Sequence, residues 1–83
     1  MKLVCSLNFS LNQKISIIDD DGKVIDCVER PMNQLEDSIV ALCNEYAVDT
    51  VFLNGGRNFT NKIANDLSLM VNFNQNKTKI IAN

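Results

Sequence analysis

Apolar and polar residues alternate from Lys2 to Leu11. Leu3, Cys5, Leu7, Phe9 and Leu11 fall on one side, and Lys2, Val4, Ser6, Asn8 and Ser10 on the other. A period of two predicts a half-buried strand with one apolar and one mostly polar face. Asn12-Gln13 then turns the chain. Lys14–Asp19, with Ile15, Ile17 and Ile18, predicts a second strand, and Lys23–Glu29, with Val24, Ile25, Cys27 and Val28, a third. Between them Asp19-Asp20-Asp21-Gly22 supplies the Asp-Gly pair that favours a tight hairpin. These three strands read as an antiparallel meander.

Pro31 closes that segment because it lacks an amide donor and restricts Arg30 to extended geometry. The period then changes to 3.6: Leu35, Ile39, Leu42, Cys43 and Tyr46 form one stripe of a helix, opposite Asp37, Ser38, Asn44 and Glu45. Asn33 and Glu36 are spaced as an N-terminal capping pair. Thr50–Asn54 encloses the continuous apolar run Val51-Phe52-Leu53, expected of a central strand. Gly55-Gly56 breaks it. A second helix is predicted from Asn58 or Thr60 to Met70, with Phe59, Ile63, Leu67 and Met70 or Val71 as its stripe. Asn72–Lys77 reads as a polar loop around Phe73, and Thr78–Ala82 as a last short strand.

The order is β-β-β-α-β-α-β. Right-handed crossovers, with the fourth strand parallel to the first, predict an α/β fold built on a mixed five-stranded sheet of order 3-2-1-4-5. Both crossovers then place their helices on one face. The other face would carry Val4, Ile18, Val24, Val28, Phe52 and Ile80, an apolar set that invites a homodimer or a protein partner.

Size and charge narrow the chemistry. The 83 residues predict a single domain spanning 1–83 with a thin core, since a chain this short buries only somewhat over ~60% of its unfolded surface. Eight basic against ten acidic residues argue against broad nucleic-acid binding. Lys2, Lys14, Lys77 and Lys79 form only a scattered basic fringe. With no histidine, imidazole metal ligands and imidazole general bases are excluded, and Cys5, Cys27 and Cys43 have no zinc-like spacing. All three read as small buried hydrophobes in a reduced, cytoplasmic setting. Neither a signal peptide nor a membrane span is expected. Twelve asparagines read as compositional drift or a solvated surface, and a small Asn-rich chain would fit a viral or mobile-element accessory factor.

Three short features carry residues suited to chemistry. Asn54, Gly55, Gly56, Arg57 and Thr60 could cradle an anion: glycines admit close approach, Arg57 adds charge, and Thr60 lies near the helix start. The Gly-Lys-Ser/Thr of a phosphate loop is absent, and a glycine corner also serves simply to turn the chain. Asp19, Asp20 and Asp21 lack the twelve-residue ligand spacing of a calcium loop and read as a turn. Asp26 and Glu29 on the third strand read as charges protecting a sheet edge. No metal site, cofactor or catalytic set is expected.

The Asp-Gly hairpin, the Gly-Gly after the fourth strand and the 3-2-1-4-5 order together resemble the core of the ribonuclease H-like superfamily. That superfamily includes Holliday-junction resolvases, YqgF-type proteins and the half-domains of actin-like ATPases. The resemblance is topological and covers nearly the whole chain. It implies metal-binding carboxylates on the first strand, at the end of the fourth and in a later helix. Here those places hold Ser6 and Asn8, Asn54, and Asp66 as the only carboxylate on the second helix. Neutral oxygens cannot offset two divalent cations. The resemblance therefore implies a non-catalytic relative working through protein contacts or self-association. A phosphate or nucleotide binder using the Gly55-Gly56 corner is the alternative, with a magnesium-dependent nuclease behind it.

Overall fold

The computed structural model describes all 83 residues. Strands β1 (Lys2–Ser6), β2 (Asn12–Ile18) and β3 (Val24–Pro31) form the meander. A single 3-10 turn (Met32–Gln34) leads into α1 (Leu35–Tyr46). Then come β4 (Thr50–Asn54), α2 (Arg57–Ser68), the short α3 (Val71–Asn74) and β5 (Lys79–Ala82). The strands form one sheet in the order β3-β2-β1-β4-β5, parallel where β4 meets β1 and β5.

Register explains the two faces. Leu3 lies opposite Ile17 and Val51, and Cys5 opposite Ile15 and Leu53. All six are buried, and they pack with Leu35, Ile39 and Cys43 of α1 and Ile63 and Leu67 of α2. Both long helices cover this one face. Residues of the opposite parity stay uncovered: Val4 lies beside Phe52, and Phe52 beside Ile81.

The hairpin between β2 and β3 is organised by Asp19. Its carboxylate accepts the amides of Asp21 and Lys23 at 3.0 and 2.9 Å, and Gly22 takes a left-handed φ of 84°. A bulge between Ile17 and Ile18 shifts the register so that Val24 lies opposite Ile18.

Several expectations are corrected. The first strand ends at Ser6, not Leu11. Leu7 is buried, but Phe9 and Leu11 are fully and largely exposed on a loop. Gln13 belongs to β2 and is completely buried. Its carbonyl oxygen accepts the Asn8 amide at 3.0 Å, while its NH₂ group donates to the carbonyls of Asn8 and Ser10 at 3.0 and 2.9 Å. These bonds bend the chain away from the sheet four residues before the expected turn.

Ile80 and Val28 leave the open face. Ile80 lies opposite Val51 and Val28 opposite Ile15, so both share the parity of the core and pack against it. Ile81 takes the place expected of Ile80. Asn33 does not cap α1: the cap position is Gln34, without a side-chain hydrogen bond, because the intervening 3-10 turn shifts the helix start. The segment after α2 is not a plain loop, since α3 folds back and buries Phe73. Cys27 is exposed on the open face, where the Ser16 hydroxyl contacts its sulfur at 3.7 Å, while Cys5 and Cys43 are buried.

Candidate functional site

Two surfaces stand out above this frame: the end of the sheet where β4 turns into α2, and the uncovered sheet face.

At the corner, Asn54 closes β4 beside Ser6 of β1, and its carbonyl accepts the Leu7 amide at 2.7 Å. The Asn54 side chain also accepts a bond from Asn83 at 3.3 Å. Gly55 follows with φ 146°, and a Cβ there would lie 2.9 Å from the Leu7 carbonyl oxygen. This glycine is thus required by the approach of the β1 end. Gly56 is different: it is extended, caps α2, and has open space where a Cβ would stand.

Arg57 opens the helix, is exposed, and its guanidinium makes no ion pair. Thr60 is buried in the second turn and donates its hydroxyl to the Arg57 carbonyl at 3.2 Å. Of the five residues suggested by the sequence, Gly56 and Arg57 face solvent at the corner, and Asn54 is half-buried at the strand end. Gly55 serves the backbone turn and Thr60 serves helix packing.

The sequence did not single out the residues that complete this corner. A cleft of about 530 Å³ is lined by Leu7, Phe9 and Phe59 on its apolar side and by Gly56, Arg57 and Lys62 on its polar side. The Phe9 and Phe59 rings stand 6.3 Å apart at 43°. The exposure of Phe9 was hidden by the unbroken alternation of Leu3 to Leu11. Only Gln13, a polar residue in the apolar phase of Ile15 and Ile17, hinted at the interruption.

Lys62 is not a free cation. It bonds Asp66 one turn on at 2.9 Å and lies 3.9 Å from Glu36 of α1. Burial pushes the Glu36 carboxyl above its usual range, and its hydrogen bond with Asp66 adds to the shift. The same bond, with that from Lys62, holds Asp66 below the usual range. Glu36 and Asp66 thus face each other between the helices, beside the rim of the cleft, with their carboxyl groups shifted in opposite directions.

On the open face, register sets out a row running Cys27, Ser16, Val4, Phe52, Ile81 across all five strands. Val4 and Phe52 are half-buried and Ile81 is exposed. Ile18 and Val24 extend the apolar surface on the next row, beside Lys2, Thr50 and Lys79. Lys2 reaches Asp49 at 3.5 Å, and Lys14 lies opposite Glu29, so two of the four fringe lysines have carboxylates beside them. Of the two edge carboxylates, Glu29 belongs to this face. Asp26 lies on the core side and accepts the Tyr46 hydroxyl at 2.6 Å.

Burial raises the Cys5 thiol to about 11 and the Cys43 thiol to about 12. Both stay protonated near neutral pH, which removes them as nucleophiles. No group of three or more acidic or cysteine side chains is placed to hold a metal ion. No helix is long and apolar enough to cross a membrane. The chain is a mixed α/β sheet with helices on one face. It matches no protein-family model, and a search of curated proteins finds no relative.

Proposed function

We propose that this protein is a non-catalytic binding module that uses the open face of its sheet to hold a protein partner or a second copy of itself. The observation that carries this reading is the contiguous row Val4, Phe52, Ile81, flanked by Ile18 and Val24, which no element of the chain covers. A sheet with one such face gains from a partner that removes it from water, at roughly 25 cal/mol per Å² of apolar area. Ser6 and Asn54 lie side by side where a ribonuclease H-like nuclease would keep carboxylates, and their neutrality supports a degenerate, non-catalytic core of that type. The phosphate-binding alternative has less support, because Gly55 has a backbone reason and the Thr60 hydroxyl is committed inside the helix.

The test is sedimentation mass over a rising concentration series, for the native chain and for Phe52→Lys. Self-association predicts a dimer that the substitution returns to monomer while the fold persists. If the native chain stays monomeric throughout, the second-copy form of the reading fails. The open face then has to be tested by crosslinking from Ile81→Cys to a candidate protein partner.

A further inference from the structure

The Leu7–Leu11 loop presents a paradox for a chain with a thin core. It leaves Phe9 101% and Leu11 87% exposed, yet the loop carrying them is held by a completely buried glutamine. Besides the Gln13 bonds, the Asn8 carboxamide oxygen accepts the Ser10 amide at 2.8 Å, and the Leu11 carbonyl accepts the Met32 amide at 2.8 Å. The loop is therefore tied at both ends and in the middle. Bare apolar side chains on an ordered loop lose little conformational entropy on binding, which is the condition for an anchor.

Phe9 lines the 530 Å³ cleft with Leu7 and Phe59, and Arg57 stands on the rim without a carboxylate partner. Charge decides between occupants. A second copy docked cleft to cleft would bring Arg57 no carboxylate, since none lines the cleft. An anionic membrane would need several free cations here, whereas Lys62 is already engaged by Asp66 and Glu36. A peptide with an aromatic or aliphatic side chain next to a carboxylate satisfies both features: the side chain packs over Leu7 against the paired Phe9 and Phe59 rings, which stand 6.3 Å apart, and the carboxylate meets Arg57. We propose that this cleft binds an acidic, apolar peptide segment of a partner protein, with Phe9 and Phe59 as the anchor walls and Arg57 as the charge-reading residue. The site lies at the strand ends and is independent of the open sheet face.

The test titrates the ¹⁵N-labelled full chain with acetyl-Glu-Leu-Trp-Asp-amide, with its lysine counterpart acetyl-Lys-Leu-Trp-Lys-amide, and with inorganic phosphate. The acidic peptide is expected to shift the amides of Phe9, Gly56, Arg57 and Phe59. The chain has no tryptophan, so the peptide's fluorescence gives a second readout. Arg57→Glu is expected to weaken the acidic peptide about tenfold or more and to favour the basic one, as loss of a charge-assisted bond requires. Phe9→Ser, which removes a fully exposed side chain, is expected to weaken both peptides without altering the rest of the spectrum. Equal shifts from the two peptides would overturn the proposal, as would the same shifts from phosphate alone or no shift at millimolar peptide. Shifts confined to Val4, Phe52 and Ile81 would overturn it too while supporting the sheet-face reading.

Discussion

The carbonyl oxygen of Leu7 stands 2.9 Å from the point that a Cβ on Gly55 would occupy. The end of β1 and the β4–α2 corner are thus closed on each other through a position only glycine fills, with φ at 146°. Gly55→Ala is expected to cost about 2–3 kcal/mol, from the strained φ and the displaced Leu7 together. Gly56→Ala, with open space around its Cβ, should change stability by less than about 1 kcal/mol. Urea denaturation of the two variants side by side checks the contrast. Equal effects would show that the corner is not closed as described.

Gln13 offers a sharper probe of the exposed loop. Its NH₂ group donates to the Asn8 and Ser10 carbonyls, so Gln13→Glu at neutral pH places a buried carboxylate against two acceptors. The expected loss is about 3 kcal/mol, in line with an unsatisfied buried polar group that also carries charge. Protonation restores one donor. The deficit relative to the native chain should therefore shrink as pH falls below the variant carboxyl's raised pKa. A deficit that does not change with pH would mean that the loop is held by other contacts.

The helix α1 ends on Ala47 at φ 51°, a left-handed position usually taken by glycine, where its amide bonds the Cys43 carbonyl. An alanine there gives up roughly 1–2 kcal/mol to backbone sterics. Ala47→Gly recovers part of this, less the extra entropy of the unfolded glycine chain, for a net gain of about 0.5–1 kcal/mol. The readout is a higher urea midpoint with an unchanged slope.

These positions also mark how far the sequence can be read. The sheet order followed from strong local signals: Asp21-Gly22 at the hairpin, the run Val51-Phe52-Leu53, and the two helical stripes. Where a signal was locally degenerate, it failed. Ile80 and Ile81 are adjacent in a four-residue strand, and nothing in the pair says which one faces the core; only pairing with β4 decides. Phe9 and Leu11 continue the strand pattern perfectly, and the three bonds from Gln13 that end the strand are invisible to periodicity. Phe73 is the single buried residue of a four-residue helix, too short for a period to show. At the candidate corner, Gly56 and Arg57 were legible as a local motif. Phe9, Phe59 and Lys62 were not, because they come together only through the bend at Asn8 and the first turns of α2.

Tyr46 is the only tyrosine, and its hydroxyl donates to Asp26 at 2.6 Å, tying the end of α1 to β3. That bond is the main cause holding the phenol above its ordinary value of 10.0, because the phenolate can no longer donate and would face a carboxylate. A group with a raised folded pKa contributes its full stability below the unfolded value and loses it as pH rises through the folded one. The native chain should therefore lose stability with rising alkalinity above the ordinary tyrosine range, and Tyr46→Phe should lose less over the same interval. Phenolate absorbance follows the single group directly. A midpoint at or below the ordinary value would sink the bond.

The Glu36–Asp66 pair gives opposite signs in the acid range. Burial, followed by the bond with Asp66, raises the Glu36 carboxyl, so its contribution is complete at low pH and fades as pH rises through that raised value. Asp66 is lowered by its bonds from Glu36 and Lys62, so its contribution is present above the ordinary carboxylate range and fades as pH falls. Glu36→Gln keeps a permanent donor facing Asp66 and removes the charge that Glu36 acquires on ionising. The variant is expected to match the native chain at acid pH, where Glu36 is protonated and donates in the same way. Above the raised Glu36 pKa the variant should be the more stable of the two. The Lys62–Asp66 contact at 2.9 Å persists in both proteins, so it cancels from the difference. Urea midpoints collected across the acid-to-neutral range decide the matter. A variant less stable than the native chain at neutral pH would show that Glu36 acts chiefly as an ionised partner of Lys62, which stands farther off at 3.9 Å.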